Sequence, residues 1–256
     1  MNNETIDLIF GKPIEFTHGV TIKIPTVEEV AYNENFNKYT RIFTTTTREL
    51  FALARNVDEL ENKYPTILSM ANDEEMDFAL GKLLGVDYKG SALIMEALSY
   101  WTGLTIDGED GFQLISSGKI LHIKTEWIID EKEWTRFSEL IKKIQCITPS
   151  KDFTPPKPMN SDGKFNAWKA LLKGRQRNAS TKGLTMADKI LILSISMESY
   201  IPIDDIRKMS IFVFSKLFEG LSKKEAYHLN MRMLISGNFD SEKINKKHWK
   251  ETFSSK

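Results

Sequence analysis

The sequence predicts a mainly α fold with small β elements, an α+β arrangement. It expects an N-terminal strand pair, a helical body, a central β-hairpin and a C-terminal helical bundle. Three observations predict it. Apolar residues recur at intervals of three and four over most of the chain, the period of a helix face. Several such stretches open on Thr or Ser with Glu or Asp three residues later (Thr26/Glu29, Thr185/Asp188, Ser222/Glu225), the signature of a capping box. Strand-like runs bounded by turn residues are short and fall in two places.

The first place is residues 6–24. "IDLIF" and "VTIKI" are β-prone, punctuated by Gly11-Lys12-Pro13 and His18-Gly19. Val20, Ile22 and Ile24 alternate with Thr21 and Lys23, as in a half-buried strand. Thr26 then caps a helix. Phe36, Tyr39, Phe43, Thr46, Leu50, Leu53, Val57 and Leu60 follow in a heptad-like seam. The run Thr44–Thr47 is poor helix interior, so the chain is expected to break there into two helices. The seam reads as intramolecular core, with a homo-oligomer contact as the alternative.

Residues 66–101 are helical and apolar in patches, with Gly81, Gly85 and Gly103 as terminators or tight approaches. Ser117-Gly118 separates two β-prone runs, which predicts a hairpin over Phe112–Ile123. Asp130 with Glu133 caps the next helix, whose apolar face is Trp134, Phe137, Leu140, Ile141 and Ile144. Four prolines between 149 and 158 interrupt regular structure. This predicts an N-terminal α+β domain over 1–147, a Pro-rich then basic linker over 148–183, and a C-terminal helical domain over 184–256. Within the last, "MADKILILSISMESY" is apolar nearly all round and is expected to be a central, buried helix. A second helix is expected to start at Ser222 and to end at Gly237.

The chain has 256 residues, with 35 Lys and Arg against 35 Asp and Glu. Total charge therefore encodes no general attraction to nucleic acid or membrane. Cys146 is the one cysteine, so no internal disulfide can form; it reads as a small buried hydrophobe. The N-terminus lacks a basic segment followed by an apolar core, so no secretory signal is expected. The longest apolar run, Ile190–Met197, is too short to span a bilayer.

Catalytic patterns are thin. GxxxxGK[ST], GxGxxG after a strand and GxSxG do not occur. His18, His122, His228 and His248 do not stand at zinc-ligand spacing. "NDEEMD", with Asp73, Glu74, Glu75 and Asp77, lacks the calcium-loop pattern and reads as the acidic start of a helix. No cofactor and no metal are expected. An unrecognised enzyme would need His122, Asp107 and Glu109 to converge. From Ile147 to Gly183 there are eight Lys or Arg against two Asp. Lys169, Lys173, Arg175, Arg177 and Lys182, beside Phe165 and Trp168, are candidates for contact with nucleic acid or an acidic partner. The reading preferred for this stretch is a solvated connector.

Three stretches together resemble a known family. "FGKPIEFTHGVTIKIPTVEEV", "GKILHIKTEWIIDEKEWTRFSELIKKI" and "IRKMSIFVFSKLF" with "LISGNFDSEKINKKHW" are similar to proteins of tail-morphogenesis clusters in phages and prophages of Gram-positive bacteria. The resemblance implies a helical, non-enzymatic tail-assembly chaperone or accessory factor that holds tape-measure or tail-tube protein. A permanent tail or baseplate component is the alternative. It implies a location in the host bacterial cytoplasm, or in the virion tail if structural. Partner binding would fall on apolar helix faces: Phe36, Tyr39, Phe43, Leu50 and Leu53 of the seam, and Met231 and Met233 near the C-terminus.

Overall fold

The computed structural model describes residues 3–115, 118–147, 152–180, 184–196, 200–236 and 247–250. Among them the fold is mainly helical with two small antiparallel sheets, the class the sequence predicts. The chain divides into two units: Met1–Ile24 with Tyr32–Gly183, and Pro25–Ala31 with Leu184–Lys256.

The first unit opens on α1 (Asn3–Phe10), where the sequence reading expected a strand over "IDLIF". Leu8 is fully buried, and Asp7 and Leu8 supply carbonyls that receive the amides of Lys12 and Gly11. A helical turn thus places Leu8 inside and ends at Gly11. β1 (Ile14–Thr17) and β2 (Val20–Ile22) form a hairpin. Its turn residues His18 and Gly19 both have positive φ, 48° and 72°, the twist a two-residue hairpin favours.

The heptad-like seam does not form one helix. It is cut into α3 (Phe36–Thr44), α4 (Thr47–Leu50) and α5 (Val57–Lys63). The break falls in the Thr44–Thr47 run, and Thr46 there closes a reciprocal cap with Glu49. α6 (Ile67–Ala71), α7 (Glu74–Leu84) and α8 (Gly90–Thr102) follow. Gly85 and Gly103 end their helices in the left-handed region. At Gly81 the constraint is space: a Cβ would lie 1.8 Å from the carbonyl oxygen of Tyr88.

The expected hairpin is present as β3 (Phe112–Ile115) and β4 (Lys119–His122), and β5 (Trp127–Ile129) extends it to three strands. α9 (Glu131–Ile144) is capped by Asp130, which accepts from the amides of Lys132 and Glu133. Its apolar face meets α3 and β5 in an aromatic core. Phe137 lies 4.9 Å from Phe43 and 5.8 Å from Trp127, ring centre to ring centre. α9 closes with Cys146 at φ 54°. The amides of Cys146 and Ile147 return to the carbonyls of Lys143 and Lys142, the pairing of a Schellman ending.

The connector expected over 148–183 is corrected in part. α10 (Asp162–Ser180) is a helix of 19 residues. Phe165, Trp168 and Leu172 on one face are buried with Val57 and Met159, against Phe51 and Ala52. Three large apolar side chains at helical spacing cannot remain in water at no cost, and this face overrides the reading of the segment as a solvated strap.

The second unit contains most of α2 (Val27–Tyr32), α11 (Met186–Ser196), α12 (Ile203–Lys208) and α13 (Ile211–Ser236). Residues 25–31 join it through backbone pairing. Val27 donates to Met209, Ile211 donates to Pro25, and Thr26 bridges Ser210. The Thr26/Glu29 and Thr185/Asp188 boxes form as predicted. Two expectations fail here. Ser222 does not start a helix; it lies inside α13, and its hydroxyl donates to the Phe218 carbonyl. α11 is not buried all round: Leu193 and Ser194 are buried, but Leu191 and Ile195 are 53% and 74% exposed. Ser117, Lys182 and Gly237 lie outside the described residues.

Candidate functional site

α4 is one turn long and offers the first unit a buried cation, Arg48, only 4% exposed. Its Nη1 donates to Asp58 Oδ1 at 2.6 Å and to Glu61 Oε2 at 2.9 Å on α5. Its Nε and Nη2 donate to the carbonyls of Pro155 and Pro156 at 2.7 and 2.5 Å. Both carbonyls lie outside helix and sheet, and a buried carbonyl needs a donor, which Arg48 supplies. Asp58 also accepts from the Met159 amide at 2.6 Å, Glu61 from Lys157 Nζ at 2.8 Å, and Glu49 from the Thr154 hydroxyl. The Trp168 indole N–H donates to the Ala52 carbonyl at 2.8 Å. The proline-rich segment and α10 are thereby fastened to α4 and α5. Hydrogen bonding from Arg48 holds the Asp58 carboxyl below its ordinary range. Glu61 is also lowered: desolvation pushes it up, and hydrogen bonds from Lys157 and Arg48 outweigh that.

The candidate partner-binding residues are not brought together. Phe36 and Phe43 are 6% and 2% exposed and belong to the aromatic core of α3, which leaves them no free surface. Tyr39 is half-buried and donates to Glu96 Oε2 at 3.3 Å; Tyr88 donates to the same oxygen at 2.9 Å. Leu50 is half-buried at the end of α4, and Leu53 is exposed in the turn beyond it. Met231 and Met233 are half-buried near the end of α13.

The basic candidates fall on α10. Lys169, Lys173 and Arg177 are exposed, whereas Arg175 is half-buried. Arg175 pairs with Asp152 at 3.2 Å and lies over the Trp168 ring.

The acidic and histidine candidates have structural positions. Asp73 caps α7 by accepting from the Met76 amide and takes the Tyr64 hydroxyl at 2.5 Å. The Tyr64 bond, chiefly, holds its carboxyl down at about 2. Asp77 is buried and accepts from both the amide and the hydroxyl of Ser91 at 2.6 Å, so a side chain of α7 satisfies the first turn of α8. His122 is 1% exposed in β4, and its Nδ1 is 2.8 Å from the Thr125 hydroxyl. Desolvation lowers its pKa. Asp107 and Glu109 are exposed. Among the described residues no group of three or more His, Cys, Asp or Glu could hold a metal ion. Among them, too, no helix is long and apolar enough to cross a membrane.

The sequence reading missed Arg48 and the helical face of Phe165, Trp168 and Leu172. The second carried a signal, spacings of three and four. The first carried none, because its partners lie 10 to more than 100 residues away.

Residues 175–254 match the family model described as YomV second domain, a phage- and prophage-associated family. No curated protein and no solved structure matches the chain.

Proposed function

We propose that this chain is a non-enzymatic phage or prophage tail-morphogenesis protein, an assembly chaperone or accessory factor that binds tape-measure or tail-tube protein. The match of residues 175–254 to a phage-associated domain carries the reading. The tail-cluster resemblance of "FGKPIEFTHGVTIKIP", "GKILHIKTEWIID" and "IRKMSIFVFSKLF" gives it its finer content.

The test is mass spectrometry of purified virions together with a pull-down from infected cells using this chain as bait. Tape-measure or tube protein in the pull-down, with the chain absent from virions, is the expected result. A fixed copy number in the virion would make it a permanent tail or baseplate component instead. Recovery of no tail protein in either assay would sink the reading.

A further inference from the structure

No acid occurs in the sequence between Asp162 and Asp188, whereas Lys164, Lys169, Lys173, Arg175, Arg177 and Lys182 do. In a chain with 35 charges of each sign this is a strong local excess. The structure gives the excess a geometry. Phe165, Trp168 and Leu172 fix the rotation of α10 by burying one face. Lys169, Lys173 and Arg177, exposed, then stand at i, i+4 and i+8, about 6 Å apart along the axis and within about 80° of arc. Beside them Ala167, Ala170 and Gly174 are also exposed, and a Cβ at Gly174 would meet nothing within 4 Å. The result is a strip of small residues with the row of cations along one edge and Leu171, also exposed, along the other.

We propose that this face of α10 is a docking surface for an acidic helix of a partner protein, whose carboxylates at four-residue spacing meet Lys169, Lys173 and Arg177. The inference rests on α10 alone and is independent of the tail-assembly reading. Three features favour an acidic helix over nucleic acid. The strip of small residues admits a helix close to the α10 backbone, with Leu171 as an apolar contact beside it, neither of which phosphate contact needs. Phe165 and Trp168 are 8% and 6% exposed, so α10 offers no ring on which bases could stack. Three cations are also few beside the roughly six to ten phosphate contacts that sustain strong DNA binding.

The test uses the full chain and two probes: a labelled helical peptide with glutamate at every fourth position, and a labelled DNA duplex. Binding of the peptide is expected, weakened by about tenfold in the triple variant Lys169→Gln, Lys173→Gln, Arg177→Gln. The control triple Lys12→Gln, Lys89→Gln, Lys132→Gln, which removes the same charge elsewhere, should bind as the parent does. Circular dichroism should show both triples folded, since all six side chains are exposed. Equal loss in both triples, no loss in either, or failure to bind the peptide overturns the proposal. Duplex binding without peptide binding overturns it in favour of nucleic acid.

Discussion

Arg48 shows how much of this molecule rests on single polar side chains. Replacing it by Met keeps the apolar stem but leaves Asp58 and Glu61 facing each other and two proline carbonyls without their donor. Removing one partner of a buried ion pair costs more than the pair contributes. Asp58 and Glu61 are about a quarter exposed, so solvent screens part of the loss. Arg48→Met should destabilise by about 2–4 kcal/mol, read from urea unfolding. The same cluster sets an acid dependence. Both carboxyls titrate lower folded than unfolded, so their contribution is present above the unfolded carboxylate range and is lost as pH falls through the folded values. That loss should be smaller in Arg48→Met. Glu126 offers a change of the opposite sign. It is exposed in the turn before β5 with φ 53°, a region that penalises a Cβ. Glu126→Gly should stabilise by about 0.5–1 kcal/mol, seen as a raised Tm.

Among the elements, α10 and the three-stranded sheet respond to different variables. α10 is anchored by its apolar face and by one indole hydrogen bond. Trp168→Ala removes that bond and the largest side chain of the face, at about 3 kcal/mol or more, and should expose residues 162–180 to rapid amide exchange while β3–β5 stay protected. The sheet instead carries an acid sensitivity at His122, buried between Phe112 on β3 and Trp127 on β5. Desolvation lowers its pKa against the opposing pull of Asp110, with Lys124 adding to the lowering. A histidine that titrates lower folded than unfolded contributes stability above its unfolded pKa and loses it as pH falls below that point. Stability should therefore drop as pH falls below the unfolded histidine value of about 6.5, and His122→Gln should flatten that part of the profile.

For the molecule as a whole, the division into units does not follow chain order. Pro25–Ala31 belongs with the C-terminal helices, held by backbone bonds to Met209 and Ile211. A fragment spanning 184–256 lacks those partners. It should gain helical signal and thermal stability when a peptide covering 24–32 is added, and a peptide with Val27→Asp should not restore them, because Val27 is fully buried. Equal circular dichroism with and without the peptide would contradict the pairing.

Local chemistry was legible in the sequence because its causes are local. The caps at Thr26, Asp130 and Thr185, the interruption at His18-Gly19, the left-handed endings at Gly85 and Gly103 and the break at Thr44–Thr47 each depend on a few adjacent residues. These sufficed for the fold class. Where a local signal was ambiguous, packing decided. "IDLIF" suits a strand, yet a helix buries Leu8; Ser222 suits a cap, yet α13 runs through it. The basic stretch looked like a solvated strap until Val57, Phe51 and Ala52 gave its aromatic residues a surface to cover. The sequence by itself determined that the protein is mainly helical, electrically balanced and marked by one concentrated run of cations. Only the tertiary structure decided which side of that run is buried, because burial depends on partners far apart in the chain, and with it which cations face outward.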